Sequence, residues 1–405
     1  MITHLKIRNF KALQEADVPL RPLSLFTGLN GMGKSTLMQA ILMLRQSYQQ
    51  QSLQNQGLIL NGELTQIGTA ADALSEGAPE DFIEIEVTLD QDRVFGWEFD
   101  CRSSQADVLP LTGMRSETYT AMARDREQHR PFGGDAALNF MEWKLPFMRG
   151  TFQYLSAERA APQAAYPTST FEVVQERSLG NQGQFTAHYL AAFGAEPVPY
   201  ENLLYPAAAG ADPVPNTLRQ QVSAWLGDIS PGLRISATEH PDFGLARVGY
   251  EYQTTTGFTR AFRPTNVGFG LSYILPVLTA ILSTTARPPK HGMGTPLLLI
   301  ENPESHLHPR GQSRLGELLA LAAQNDVQLF VETHSDHVLN GIRVAVKKYQ
   351  LDPARVGLNF FERAPAGAGG HQSVIIQPQL DEDGRIDFWP RNFFDEWSRN
   401  LRELL

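Results

Sequence analysis

The chain has 405 residues, 42% apolar and 19% charged, a globular balance with room for one large α/β domain carrying an insertion, or for two smaller domains. A formal net charge of −10 excludes a uniformly basic nucleic-acid coat but leaves a local basic groove open. The single cysteine, Cys101, excludes an intramolecular disulfide and suits a reducing cytoplasm, and no run reaches the roughly 18 apolar residues needed to cross a bilayer.

In chain order, Ile2 to Phe10 and Ala16 to Leu20 read as short strands, and Leu23 to Thr27 is an apolar run followed by glycine. Helical spacing from Lys34 to Ser47 makes this a strand, loop and helix. Ile83 to Leu89 and Val94 to Phe99 alternate as an antiparallel hairpin. The stretch 102–148 reads as irregular, Phe152 to Ser156 as a strand, and 160–168 and 195–215 as surface loops. A helix is expected at Leu218 to Leu226, then strands at Leu233 to Ala237 and Ala246 to Tyr252. After Asn266 the spacing predicts helix 270–283, strand 296–300, helix 311–323, strand 327–332, helix 335–348 and strand 356–361. Pro276 marks a kink in the first of these helices. Strands alternating with helices imply a largely parallel sheet. No heptad pattern is sustained. The expected division is a core of 1–100 and 266–362, an insertion or lobe of 101–265 whose strand 152–156 returns to the core, and a tail of 363–405 packed on the core.

Gly28-Leu-Asn30-Gly31-Met-Gly33-Lys34-Ser35-Thr36 matches the phosphate-binding loop pattern in full, between the predicted strand and helix. Glycines let backbone N–H groups face phosphates, and the following helix presents its positive end to the same anion. Lys34 is placed to reach the β- and γ-phosphates and the Ser35 hydroxyl to take a magnesium position, so ATP and Mg2+ are the expected ligands. Leu297 to Ile300 is an apolar strand ending in Glu301, the acid a magnesium site requires, followed by Asn302-Pro303-Glu304-Ser305-His306-Leu307-His308-Pro309. Val331-Glu332-Thr333-His334-Ser335 ends the next strand with a histidine suited to contact the γ-phosphate and the attacking water. Asn266-Val-Gly268-Phe-Gly270-Leu-Ser272 opens an apolar helix as a second glycine-rich, anion-binding end. Asp381 to Gly384 reads as a strand-linking turn. The histidines at 291, 306, 308, 334 and 337 have no cysteine companions for a zinc site.

In order, these residues resemble ABC-type ATPases of the branch that includes RecF, the chromosome-maintenance (SMC) proteins and the overcoming-lysogenization-defect (OLD) nucleases. The opening Leu5-Lys-Ile-Arg8-Asn9-Phe10-Lys11 is similar to the first strand of that branch. Closer still, Tyr154-Leu-Ser-Ala-Glu158-Arg159, Ile300 to Pro309 and Asp387 to Glu396 resemble a family of stand-alone prokaryotic ATPases, many of them in anti-phage defence operons, whose carboxy-terminal tail has no assigned function. The resemblance implies an α/β fold: an ABC-type P-loop ATPase with a mixed central sheet, an antiparallel β subdomain and a helical signature lobe. It implies a homodimer in which Gly268, Gly270 and Ser272 contact the γ-phosphate held by the partner subunit. His306 to Pro309 would cross the dimer interface, and His334 would be the switch histidine. Where the branch places a glutamine lever, this chain has Glu158 and Arg159.

One departure bears on mechanism. The usual second acid after the strand is replaced by Asn302, a neutral amide that cannot act as a base, and Glu304 is the nearest other carboxylate. Either Glu304 activates water, or hydrolysis is slow and ATP acts mainly as a dimerising ligand. The expected function is a cytoplasmic, ATP-hydrolysing dimeric switch in an anti-phage defence complex with a separately encoded effector and no membrane partner. The alternatives are a RecF-like repair ATPase that grips duplex DNA, or an ATP-locked scaffold. About 70 residues follow His334, too few for the nuclease domain of OLD nucleases. The tail aromatics Phe388, Trp389, Phe393, Phe394 and Trp397 read either as core or as a docking surface.

Overall fold

The computed structural model describes residues 1–90, 93–116, 145–148, 151–198, 200–206, 212–284, 295–365 and 371–404. Residues 117–144 of the expected irregular stretch 102–148, and His291, lie outside the described residues.

Period-two alternation in the first hundred residues builds an antiparallel sheet. It comprises β1 (Ile2–Phe10), β2 (Leu13–Pro19), β5 (Phe82–Leu89), β6 (Arg93–Asp100) and β8 (Leu111–Ser116), in the order β2-β1-β5-β6-β8. Ile2, Leu5 and Ile7 of β1 and Ile83, Ile85 and Val87 of β5 face inward. On the outer face Lys6 pairs with Glu86, and Arg8 and Arg115 both pair with Glu84. The expected irregular stretch 102–148 thus supplies β8, and also β7 (Val108–Leu109), which pairs with β4 (Leu58–Ile59). Two single-turn helices, α2 (Ser52–Asn55) and α3 (Ala70–Ala73), lie on the same part of the chain.

The central sheet has the order β17-β16-β3-β15-β14-β9. Its strands are β3 (Leu23–Gly28), β9 (Phe152–Leu155), β14 (Leu297–Glu301), β15 (Gln328–Glu332), β16 (Val356–Pro365) and β17 (His371–Ile376). All neighbours run parallel except β16 and β17. Covered on both faces, the central strands β3, β14 and β15 are near-continuous apolar runs. Phe26, Leu297, Leu299 and Phe330 face one core, shared with the antiparallel sheet and with α1 (Lys34–Gln49). Leu25, Leu298, Ile300, Leu329 and Val331 face the other, under α7 (Pro309–Ala322) and α8 (Asp336–Tyr349).

A lobe completes the fold. The pairs β10 (Tyr166–Pro167), β11 (Leu233–His240), β12 (Leu245–Thr254) and β13 (Gly257–Phe258) form a small antiparallel sheet. Against it pack α4 (Thr186–Phe193) and α5 (Leu218–Ile229), and α6 (Phe269–Thr284), which runs through Pro276, packs on those two helices. In the tail, Asp381 to Gly384 forms a turn closed by the Leu380–Ile386 bridge, and α9 (Glu396–Leu404) ends the described chain. Phe393 is buried against Phe360, with ring centroids 5.3 Å apart, whereas Phe388 and Trp389 are about half exposed. Phe394 is partly buried on the same core. The Trp397 side chain lies outside the described residues.

Candidate nucleotide site

Three parallel strands end side by side at one edge of the central sheet, and their last residues supply the site. At the end of β3, Gly28, Gly31 and Gly33 all adopt positive φ, the backbone conformations a wound phosphate loop demands. Asn30 and Gly31 form its exposed tip. Lys34 is buried at the start of α1, where its Nζ donates to the carbonyls of Gly28 at 3.0 Å and Leu29 at 2.8 Å. Burial pulls its pKa down, opposed by the nearby charge of Glu332. Thr36 is buried one residue beyond Ser35, and its amide donates to the Gly33 carbonyl at 3.1 Å.

The acids come from the neighbouring strand ends. Glu301 and Glu332 are register partners on β14 and β15. Glu332 Oε2 accepts a hydrogen bond from the Ser35 hydroxyl at 2.8 Å. Glu301, expected at the magnesium, is engaged elsewhere: one oxygen accepts from the Tyr154 hydroxyl at 3.1 Å, the other from the Ala157 amide at 3.0 Å. Burial, and secondarily the Glu301 charge, pushes the Tyr154 phenol above its usual range. Glu304 Oε1 accepts from the His334 amide at 2.8 Å, and its Oε2 is buried with no hydrogen-bond partner. Burial raises the Glu304 pKa, with the His334 amide opposing. Burial likewise raises that of Glu332, against the Ser35 hydrogen bond and with the Glu301 charge adding to the rise. The His334 ring is exposed, and partial burial together with the Lys34 charge lowers its pKa, so it is neutral at pH 7.

Of the two polar residues at the expected lever position, Glu158 and Arg159, Arg159 is buried facing inward. Its guanidinium donates to the carbonyls of Glu301 at 2.6 Å and Asn302 at 3.2 Å, and burial lowers its pKa to about 10. Glu158 points to solvent. The same loop donates from Ser156 to the Asn181 carbonyl at 2.8 Å and from Ala160 to that of Gln182 at 2.9 Å. It therefore ties the acid-bearing end of β14 to the lobe.

Gly268 and Phe269 are exposed at the start of α6. A Cβ at Gly270 would stand 2.4 Å from the His306 carbonyl oxygen, so only glycine lets this helix meet the loop after β14. Phe269 and Tyr273 pack on the His306 ring at 6.0 and 4.8 Å. Ser272, expected to face a partner's triphosphate, instead points into the lobe. It is 7% exposed, beside Tyr166 and Tyr250, and its hydroxyl makes no hydrogen bond of ordinary geometry, although those two phenols face it. The reason is helical phase: two positions after Gly270, the side chain has rotated toward the apolar face of α6. His308 caps α7, its ring nitrogen accepting from the Arg310 amide at 3.4 Å.

Sequence reasoning quoted Glu332 without giving it a role, and missed the hold of Tyr154 and Ala157 on Glu301. The available signal was two apolar strands each ending in Glu. Its meaning depends on strand order, which spacing does not give. Among the described residues no group of three His, Cys, Asp or Glu is arranged to hold a metal ion. An ion that arrives on nucleotide phosphates needs only one or two protein carboxylates, and the Ser35–Glu332 pair fits that demand.

Comparison with known proteins agrees with this geometry. Residues 1–159 match the family described as "AAA ATPase domain". Residues 168–340 match "AAA domain, putative AbiEii toxin, Type IV TA system", and residues 351–404 match "Protein of unknown function (DUF3696)". An OLD nuclease of Thermus scotoductus is 44% identical over 41 residues, which are 10% of this chain and 8% of the nuclease's own length. An SMC head, solved bound to the C-terminal winged-helix domain of ScpA, superposes with a TM-score of 0.53 at 14% identity, covering 93% of this chain and 98% of the other. The chain thus has an SMC-head-like fold, and it is similar to AAA ATPase families over residues 1–159 and 168–340 and to the DUF3696 family over residues 351–404.

Proposed function

We propose that this chain binds ATP with Mg2+, hydrolyses it, and uses the cycle to close and reopen a homodimer that drives a separately encoded effector in anti-phage defence. The observation that carries the hydrolytic part is Glu304. Its Oε1 is fixed by the His334 amide, while its buried Oε2 makes no hydrogen bond of ordinary geometry, although the Thr333 side chain faces the carboxylate; that oxygen is the one open to a water. In this reading Glu304 takes the water's proton, and the neutral His334 ring orients the water and the terminal phosphate. Lys34 leaves the Gly28 and Leu29 carbonyls to neutralise the phosphates. The exposed start of α6, from Gly268 to Gly270, meets the partner's triphosphate through backbone N–H groups, since Ser272 is turned inward. Two nucleotides between like faces give a twofold dimer. Mg2+ supplies charge neutralisation at the phosphates, with Ser35 and a strand-end acid facing it.

The defence reading is supported by the toxin-system wording of one matched family and by the short match to an OLD nuclease. The absence of a membrane-crossing helix among the described residues is compatible with a cytoplasmic setting.

The test is a pair of variants. Lys34→Ala should weaken ATP binding about a hundredfold, because a buried charge-assisted contact is lost. Glu304→Gln should keep ATP affinity and lower turnover by about 10²–10⁴. Nucleotide binding unaffected by Lys34→Ala ends the ATP reading, and turnover unaffected by Glu304→Gln ends the assignment of the base.

A further inference from the structure

The acid that faces the phosphate-loop serine is not the one the strand motif nominates. Neighbouring strands lie about 4.8 Å apart. The order β3-β15-β14 therefore puts the end of β15 one spacing from the phosphate loop and the end of β14 two. Glu332 and Glu301 sit at the same level on those two strands. Glu332 is 6% exposed, with its Oε2 2.8 Å from Ser35 Oγ. Both Glu301 oxygens are occupied by the Tyr154 hydroxyl and the Ala157 amide.

We infer that Glu332, with Ser35, is the protein's magnesium-facing pair, and that Glu301 is a positioning residue holding the Tyr154–Arg159 loop. The inference rests on the ATP reading above and deepens it. Magnesium takes octahedral oxygens at about 2.0–2.1 Å, which places adjacent ligands about 2.9 Å apart. The Ser35–Glu332 separation fits that edge. An ordinary hydrogen bond has the same length, so the decisive observation is the engagement of Glu301. Drawing Glu301 to an ion would break both of those hydrogen bonds and leave the loop held to the end of β14 by Arg159. Glu332 has one polar contact, and it is to the hydroxyl that would share the ion.

The experiment measures equilibrium affinity for a fluorescent ATP analogue in Mg2+ and in EDTA, using the full chain. Wild type should bind more tightly with Mg2+. Glu332→Gln keeps an oxygen for the Ser35 hydroxyl but loses the charge, and should reduce the Mg2+-to-EDTA affinity ratio about tenfold or more, a loss of the order seen when a metal site is impaired. Its EDTA affinity should hold, which also shows that the variant is folded. Glu332→Asp should restore part of the ratio. Glu301→Gln should leave the ratio within about threefold, well inside the loss expected for a ligand. Bound Mn2+ followed by paramagnetic resonance gives a second readout, with the protein-bound spectrum lost in Glu332→Gln and kept in Glu301→Gln. A full wild-type ratio in Glu332→Gln, or a ratio abolished by Glu301→Gln, overturns the inference while sparing the ATP reading. Wild type that binds no nucleotide in either buffer overturns both.

Discussion

Asn302 follows Glu301 at the end of β14, and its backbone gives a reason for an asparagine there. Its φ is +42°, in the left-handed region, which asparagine tolerates better than glutamate does. Its amide donates to the Glu332 carbonyl at 2.8 Å, so the turn that follows β14 is pinned to β15. Asn302→Glu should therefore lower stability by about 1 kcal/mol, the usual cost of a left-handed residue, and should not raise turnover. Asn302→Gly should be nearly neutral in a thermal melt. Cys101 offers a second check at this scale. It is 5% exposed, and burial, with the charges of Asp100 and Asp81 adding, pushes its thiol up to about 12. Because the thiolate is the reacting form, roughly one part in ten thousand is available at pH 8. Labelling by a thiol reagent should thus be slow in the native chain and become rapid at the denaturation midpoint. Fast native labelling would contradict the burial of this thiol.

Helix pairing shows the competition between local and tertiary terms. Helices α7 and α8 approach so closely that a Cβ at Gly341 would lie 2.1 Å from the Ser313 carbonyl oxygen. In an exposed helix interior, Gly→Ala stabilises by about 0.5–1 kcal/mol. Here the overlap costs about 1–3 kcal/mol and wins, so Gly341→Ala should lower the melting temperature. A rise would mean that the two helices are farther apart. Elements of this kind also mark the limits of the sequence. The strands and helices after Asn266 were legible because apolar strand runs alternate with periodic helical runs, and α8 opens on a cap: Ser335 accepts from the Val338 amide at 3.0 Å. Strand β8 was not, because Thr112, Gly113 and Arg115 break its apolar alternation and its register slips between Glu98 and Phe99. Helix α4 was missed because Thr186 to Phe193 is apolar on nearly every side, which gives no stripe to detect. In the site, the loop, Glu301, Glu304 and His334 were readable as local motifs. The inward turn of Ser272 and Arg159 and the closeness of Glu332 to Ser35 arise from long-range packing and have no local signature.

For the whole molecule, the phosphate loop and the start of α6 leave large apolar side chains in solvent: Leu29 is 58% and Phe269 57% exposed. Isolated exposed residues are ordinary, yet these two lie on the surfaces that nucleotide-driven pairing would cover. With ATP and Mg2+, Glu304→Gln should elute at twice the 45.0 kDa protomer mass. Phe269→Asp in the same background should bind nucleotide yet weaken the dimer about tenfold or more, as loss of a central aromatic contact does. A Glu304→Gln chain that stays monomeric at saturating ATP would remove dimer closure from the proposed cycle.

The order of the central sheet also shapes how the protein comes into being. Phe26 of β3 lies beside Glu332 on one side and Asn359 on the other, so during translation this apolar strand waits for both neighbours. At 5–20 residues per second, the wait is on the order of tens of seconds. The antiparallel sheet draws only on residues 2–116 and can form while the rest is still being synthesised. Ribosome-bound chains stalled before Gln328 should therefore resist protease across the first sheet, remain cleavable around Leu23 to Gly28, and be the species on which chaperones act.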